Sequence, residues 1–370
     1  MNGLILLAAL CAGVSQTRSV CILDDPDAAW NRYDAAAVRA RAARALKQRL
    51  SPVTEKKTLP ESGDPHDYLS MGPYWWPNPA TSNGLPYVRR DGEFNRENEA
   101  DSDRLRLDRM TRDVMDLAAA GRLGDAAAGR EAARRLRVFF LDPDTRMNPN
   151  LNHGQAIPGV CTGRGVGIID TLNLARFTVD SILVLYQAGH LPDADLNGLK
   201  KWFAAYLDWL LTSGNGRNEF KARNNHGTNH DVQCVVYALF VGRDGLAREI
   251  LRGVPQRRID VQVEPDGRQP LELARTKALS YSSYNLMMLC DLAFLGERQG
   301  VDLWNYVSAD GRSIGRALAF LEPYWKDPST WPYRQIEKAP ADGGRMQLAV
   351  RRHFDAQERA PRSSSGKDTE

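Results

Sequence analysis

Arg223-Asn224-Asn225-His226-Gly227-Thr228-Asn229-His230-Asp231 runs directly into Val232-Gln233-Cys234-Val235-Val236-Tyr237-Ala238-Leu239-Phe240. The first half crowds hydrogen-bonding and titratable side chains around one glycine. The second half has the length and apolar content of a buried helix. Together they read as a polar turn that delivers its side chains to the start of an interior helix. A second segment has the same character: Glu272-Leu273-Ala274-Arg275-Thr276-Lys277-Ala278-Leu279-Ser280-Tyr281-Ser282-Ser283-Tyr284-Asn285 leads into another apolar helical run.

Working outward, residues 34–49 combine apolar and basic positions at helical spacing with strong helix formers throughout. Spacing predicts further helices over 98–120, 124–141, 170–188, 193–212, 229–241, 244–252, 276–296 and 311–321, several closed by a glycine such as Gly121, Gly189 or Gly242. Strand character is confined to Ile259-Asp260-Val261-Gln262-Val263, read as one strand or an extended link. No fixed period recurs, which argues against a helical solenoid. The expected fold class is all-α, an (α/α) toroid or incomplete α/α barrel with a substrate groove at the loop end.

Two long connections carry the remaining signals, since loops of such length inside a compact domain are commonly functional. Residues 50–96 contain His66, Tyr68, Tyr74, Trp75 and Trp76 amid prolines and glycines. Aromatic rings in such a loop can stack on the apolar faces of sugars. Residues 142–168 contain Asn152 and Gln155, followed by Gly163-Arg164-Gly165-Val166-Gly167.

With 370 residues and 42% hydrophobic content the chain can bury a large core. Its net charge of +3 comes from interspersed charges of both signs, with no basic block of the nucleic-acid-binding kind. A cleft lined by arginine would still focus a field for an acidic polymer. Residues 1–17, with the apolar run Leu4 to Leu10, read as a signal peptide too short to cross a bilayer, and no other segment is a membrane helix. The expectation is a periplasmic or secreted monomer, with one catalytic domain over 18–357 and a disordered tail over 358–370. Cys21 and Cys161 are candidates for a disulfide, whereas Cys234 and Cys290 sit in apolar helical runs as buried thiols.

The chemistry these residues allow is β-elimination in a polyuronate. The C5 proton becomes removable once the neighbouring carboxylate is neutralised so that an enolate-like intermediate can form. Asn225 and His226 can donate to that carboxylate, and Arg275 offers a fixed cationic fork. Tyr281 can take the C5 proton and protonate the departing O4, given a nearby cation to lower its pKa. Arg275 and Tyr281 are six apart, about 120° around a continuous helix, so Arg275 belongs at or before the helix start and Tyr281 in its first turns. Tyr284 is the rival phenol one turn on. Asn224 and His230 are further candidate substrate contacts. Two other readings use the same residues: His226 and His230, with Asp231, could hold a metal for hydrolysis, and the aromatic loop could belong to a non-catalytic polysaccharide-binding protein.

The Asn224-Asn225-His226-Gly227 turn, the Tyr74-Trp75-Trp76-Pro77-Asn78-Pro79 loop followed by Gly84-Leu85-Pro86-Tyr87, and Gln269-Pro270-Leu271-Glu272-Leu273-Ala274-Arg275 leading to Tyr281-Ser282 resemble the alginate lyase superfamily. The resemblance is closest to polysaccharide lyase family 38 and more distant to family 5. It implies an (α/α) toroid, no obligatory metal or other cofactor, and an acidic polysaccharide as partner. By matching position it also implies that Asn225, His226 and Arg275 neutralise the carboxylate and that Tyr281 is base and acid. His66, Tyr68, Tyr74, Trp75, Trp76, Asn152 and Gln155 would line the sugar subsites.

Overall fold

Several helices begin where a short polar side chain takes up a free backbone N–H. In the computed structural model, which describes residues 20–337, Asp34 accepts from Ala37 N at 2.8 Å and starts α1 (Ala35–Leu46). Ser102 and Asp125 do the same for α2 (Asp103–Arg122) and α3 (Ala126–Phe140). There follow α4 (Val179–Gln187), α5 (Asp193–Thr212), α6 (Gly214–Phe220), α7 (Asn225–Phe240), α8 (Asp244–Arg252), α9 (Ala278–Arg298) and α10 (Ile314–Lys326).

Sequential helices pack as pairs, α1 on α2, α2 on α3 and α7 on α8, while α2 also meets α4, and α7 takes α5 and α9 on its other sides. The result is the (α/α) toroid, with one connected set of buried apolar side chains running from Cys21 to Leu321. Strands are few and short. β1 (Leu69–Met71) pairs parallel with β4 (His153–Ala156), and β2 (Trp75–Trp76) pairs antiparallel with β3 (Val88–Arg89). The β1–β4 ladder braces the two long loops against each other, and the β2–β3 ladder ties the first loop to itself.

The innermost helix, α7, is polar over its first half yet buried: Asn225, Thr228, Asn229 and Gln233 are all fully inaccessible. Burial of so many polar side chains is tolerable because each makes at least one hydrogen bond. Gln233 Nε2 donates to Asn229 Oδ1 and Ile168 O, Thr228 Oγ1 donates to Gln262 Oε1, and Arg258 grips Asp231 with two nitrogens.

Four expectations are corrected. First, the polar stretch is the opening of the helix and not a turn before it: α7 starts at Asn225, four residues earlier than its apolar content indicates, because Asn224 Oδ1 caps the N–H of His226. Second, Ile259–Gln262 is helical, a wide turn over Pro255–Ile259 followed by Asp260–Gln262, and only Val263 is extended. Its buried positions 258, 259, 262 and 263 follow the helical period despite the alternating composition. Third, the stretch expected as one helix over 170–188 is regular only from Val179. A tight helix over Gly165–Thr171 and a wide one over Leu174–Thr178 precede it, an irregularity of the kind found at functional sites. Fourth, Cys21 and Cys161 are not joined by a disulfide. Helix α6, with little apolar content, was not anticipated.

Residues 1–17, 338–357 and 358–370, where the leader, the end of the domain and the tail are expected, lie outside the described residues. Among the described residues no helix is long and apolar enough to cross a membrane.

Candidate active site

The helix ends and the two braced loops enclose a cleft of about 550 Å³. Tyr74, Trp75, Gln155, Asn224, His226, Arg275, Tyr281 and Tyr284 all line it. They come from both long loops and from the starts of α7 and α9.

Tyr281 lies in the first turn of α9, its N–H bonded to Lys277 O, and Arg275 precedes the helix, the arrangement that their spacing demands. Arg275 Nη2 donates to Tyr281 Oη at 2.9 Å, with the guanidinium 4.0 Å from the centre of the phenol ring. Tyr74 Oη lies 2.8 Å from Tyr281 Oη, so the loop supplies a second phenol directly against the first. Asp91, just past β3, receives Arg275 Nε and Nη2 at 2.7–3.1 Å and Thr276 N at 3.1 Å. These contacts hold the Asp91 carboxyl far below the ordinary range even though burial pushes it the other way. Burial raises the Tyr281 phenol well above its ordinary value, and Tyr74 adds to the rise. Arg275 is the group that opposes it. The cation required by sequence reasoning is therefore in place, but burial outweighs it.

At the start of α7 the two asparagines diverge. Asn225 is fully buried: its backbone N and its Nδ2 both donate to Glu272, at 2.6 and 2.7 Å, and its Oδ1 has no hydrogen-bond partner among the described residues. Asn224 is the amide on the cleft. His226 also faces the cleft, with Nδ1 2.6 Å from Glu219 Oε1. Arg275, with Asp91 and Tyr281 as its partners, does not pair with Glu272.

Tyr284 is half-buried, near Arg176 and Asn229. Gln155 adopts a left-handed backbone (φ 49°). Its amide donates to Asp170 at 2.9 Å and accepts from Arg164 at 2.9 Å.

Six predicted site residues do not line the cleft. Tyr68 is buried behind it and reaches it only through Asp170, to which its hydroxyl donates. His66 binds Arg146 O, Trp76 donates to Glu93 O, and Asn152 accepts from Trp209 on the outer surface. Asn225 faces Glu272. His230 is buried against Phe220, Asp231 and Cys234. One helical turn separates His226 from His230, yet the first points to the cleft and the second into the core. Among the described residues no cluster of three or more His, Cys, Asp or Glu is arranged to hold a metal ion.

Sequence reasoning missed Arg164, together with Arg89, Arg104 and Arg176 on the same cleft. Arg89 pairs with Asp91, Arg104 with Glu99, and Arg176 with Asp25. Arg164 has no carboxylate partner among the described residues, and its guanidinium lies 5.8 Å from the Trp75 ring. A signal was available in its neighbours. Gly163, Gly165 and Gly167 pass so close to the backbone of Asn152, Asn215 and Gly154 that a Cβ would collide at each, and such packing fixes the direction of the side chain between them.

A helical toroid whose loop-end cleft joins a buried phenol, an imidazole, an amide and several guanidinium groups defines a polysaccharide lyase for acidic polymers. The family described as Alginate lyase matches residues 52–331, and the chain belongs to that family. An alginate lyase from Bacteroides ovatus is 38% identical, with a TM-score of 0.85 over 92% of this chain and 90% of that one. Alginate lyase A1-III from Sphingomonas species A1 shares the fold at 16% identity, with a TM-score of 0.50 and 92% of each chain covered. A single-residue variant of alginate lyase A1-III complexed with a tetrasaccharide gives 17% identity and a TM-score of 0.54 over 90% of this chain and 89% of that one. Comparison with curated proteins gives no match.

Proposed function

We propose that this lyase cleaves a 1,4-linked polyuronate by syn elimination at Tyr281, with polymannuronate the preferred polymer and glucuronan the second. The observation that carries the reading is the contact of Tyr281 Oη with Arg275 and Tyr74 at 2.9 and 2.8 Å, on the same cleft as His226 and Asn224. Ionised Tyr281 takes the C5 proton. The C5 electron pair forms the C4–C5 double bond, the C4–O4 bond breaks with its pair on O4, and Tyr281 returns the proton to O4. The products are a 4,5-unsaturated uronate end and a new free hydroxyl, with no oxidant or water consumed. One phenol can serve both steps only where C5–H and O4 share a face of the ring, as in mannuronate and glucuronate.

His226 and Asn224 are the donors for the carboxylate, where charge develops in the transition state. Asn225 supports them from below through Glu272, a different role from the direct donation implied by resemblance. Arg164 is suited to a neighbouring uronate carboxylate, since no carboxylate among the described residues pairs with it. Export through residues 1–17, action as a monomer and the closer relation to polysaccharide lyase family 38 belong to the same proposal.

The test is ultraviolet absorbance of the unsaturated product on polymannuronate, polyguluronate and glucuronan, with and without EDTA. A chelation-resistant rise, largest on polymannuronate, is expected. New reducing ends without absorbance would refute elimination, and a preference for polyguluronate would refute the single-phenol mechanism.

A further inference from the structure

Each donor segment of the cleft is held by its own carboxylate. Arg275 has Asp91, Asn225 has Glu272, and His226 has Glu219. The first two carboxylates grip permanent donors. The third grips a ring whose two nitrogens exchange roles with the proton, so it decides more than position.

Glu219 lies near the end of α6 and is 1% exposed. Its helix is pressed inward: Ser213 caps it, and a Cβ on Gly216 would collide with Leu210 O, so only glycine permits this approach to α5. Glu219 Oε1 is thereby placed 2.6 Å from His226 Nδ1. An ionised carboxylate only accepts, so Nδ1 must carry the hydrogen, and Nε2 is the nitrogen left for the cleft. A neutral ring so held has only a lone pair at Nε2. A ring carrying both protons donates from Nε2, and the buried Glu219 charge balances it.

We propose that Glu219 is a positioning residue that fixes the Nδ1–H form of His226 and supports its second proton, so that Nε2–H is presented to the substrate carboxylate. This rests on the elimination reading above. Without Glu219 the ring could rotate, or shift its hydrogen, and lose its aim at the sugar.

The test uses the full-length enzyme with ring-¹⁵N histidine, the six histidines being few enough to assign His226 from the spectrum of a His226→Gln variant. The wild-type ring is expected to show Nδ1 protonated in the free enzyme and both nitrogens protonated with a saturating mannuronate oligomer. Glu219→Gln is expected to lose the single form and to lower kcat on the order of 10- to 100-fold with KM nearly unchanged, the size of effect seen when a partner that sets an imidazole tautomer is removed. Glu219→Asp should recover part of the rate. A proton on Nε2 alone in the free wild-type enzyme would overturn the proposal, as would a folded Glu219→Gln enzyme with wild-type kcat. If Glu219→Gln does not fold, the wild-type spectra decide. Because the spectrum needs no turnover, an Nδ1–H signature beside a fully active His226→Gln enzyme would sink the role of His226 in elimination while leaving the pairing established.

Discussion

Replacing Tyr281 by Phe removes one oxygen atom and leaves most of its surroundings intact. That oxygen has two partners, Arg275 Nη2 at 2.9 Å and Tyr74 Oη at 2.8 Å. Arg275 keeps its fork on Asp91 and its place over the ring. The lost hydrogen bonds should therefore cost about 1–3 kcal/mol of stability together, taking roughly 0.5–1.5 kcal/mol for each. The effect on rate should be far larger. A positioned proton-transfer group contributes about 10²–10⁴-fold, and Tyr281 is assigned both removal and delivery, so the upper end of that range applies. A loss of about 10⁴-fold in kcat corresponds to about 5.4 kcal/mol of barrier at 1.36 kcal/mol per tenfold. Substrate affinity should change little, because the ring and the other cleft residues remain. The assay is steady-state release of unsaturated uronate from polymannuronate, with a thermal melt on the same sample and Tyr284→Phe as the parallel variant. A Tyr281→Phe enzyme within about tenfold of wild-type kcat would refute the assignment, since general acid–base catalysis is worth more than that. A large loss confined to Tyr284→Phe would transfer the role to that phenol.

His226→Ala should lower kcat by about 10²–10³-fold, as for removal of one donor to a developing oxyanion, and steady-state kinetics on polymannuronate will show it. Arg275→Gln removes the group that draws the Tyr281 phenol down. The rising alkaline limb of the residual kcat/KM profile should therefore move to higher pH, and an unmoved limb would mean that Arg275 does not tune the phenol. Asp180, which accepts from Ile22 N and Asp24 N at 2.6 and 2.7 Å, is pushed by burial from 3.8 up to about 7. An acid raised on folding contributes stability that is complete below its unfolded value and lost as pH rises through its folded one. The melting temperature should thus fall between about pH 4 and pH 7, and Asp180→Asn should flatten that dependence.

Periodicity and capping chemistry made much of the fold legible in the sequence. The bounds of α5 and α8 coincide with the predicted 193–212 and 244–252, because apolar spacing and flanking breakers are local properties. The separation of Arg275 from Tyr281 also determined that one must precede the helix that carries the other, since residues six apart cannot share a helical face. The start of α7 was misplaced because apolar content is a poor guide where a helix is buried by polar partners. Those partners come from distant segments, such as Gln262 for Thr228 and Arg258 for Asp231.

The candidate site divides along the same line. Sequence alone determined which chemical groups are present and on which helix starts they sit. Tertiary structure decided which of them meet. Tyr74 and Tyr281 are 207 positions apart, and Arg275 and Asp91 are 184 apart. It also turned Asn224 and not Asn225 to the cleft, sent His230 into the core, and brought Arg164 to the cleft between three glycines. No local pattern encodes such pairings. They follow from how the long loops pack across the helix ends, where close backbone approach and the need to partner most buried polar groups favour one arrangement.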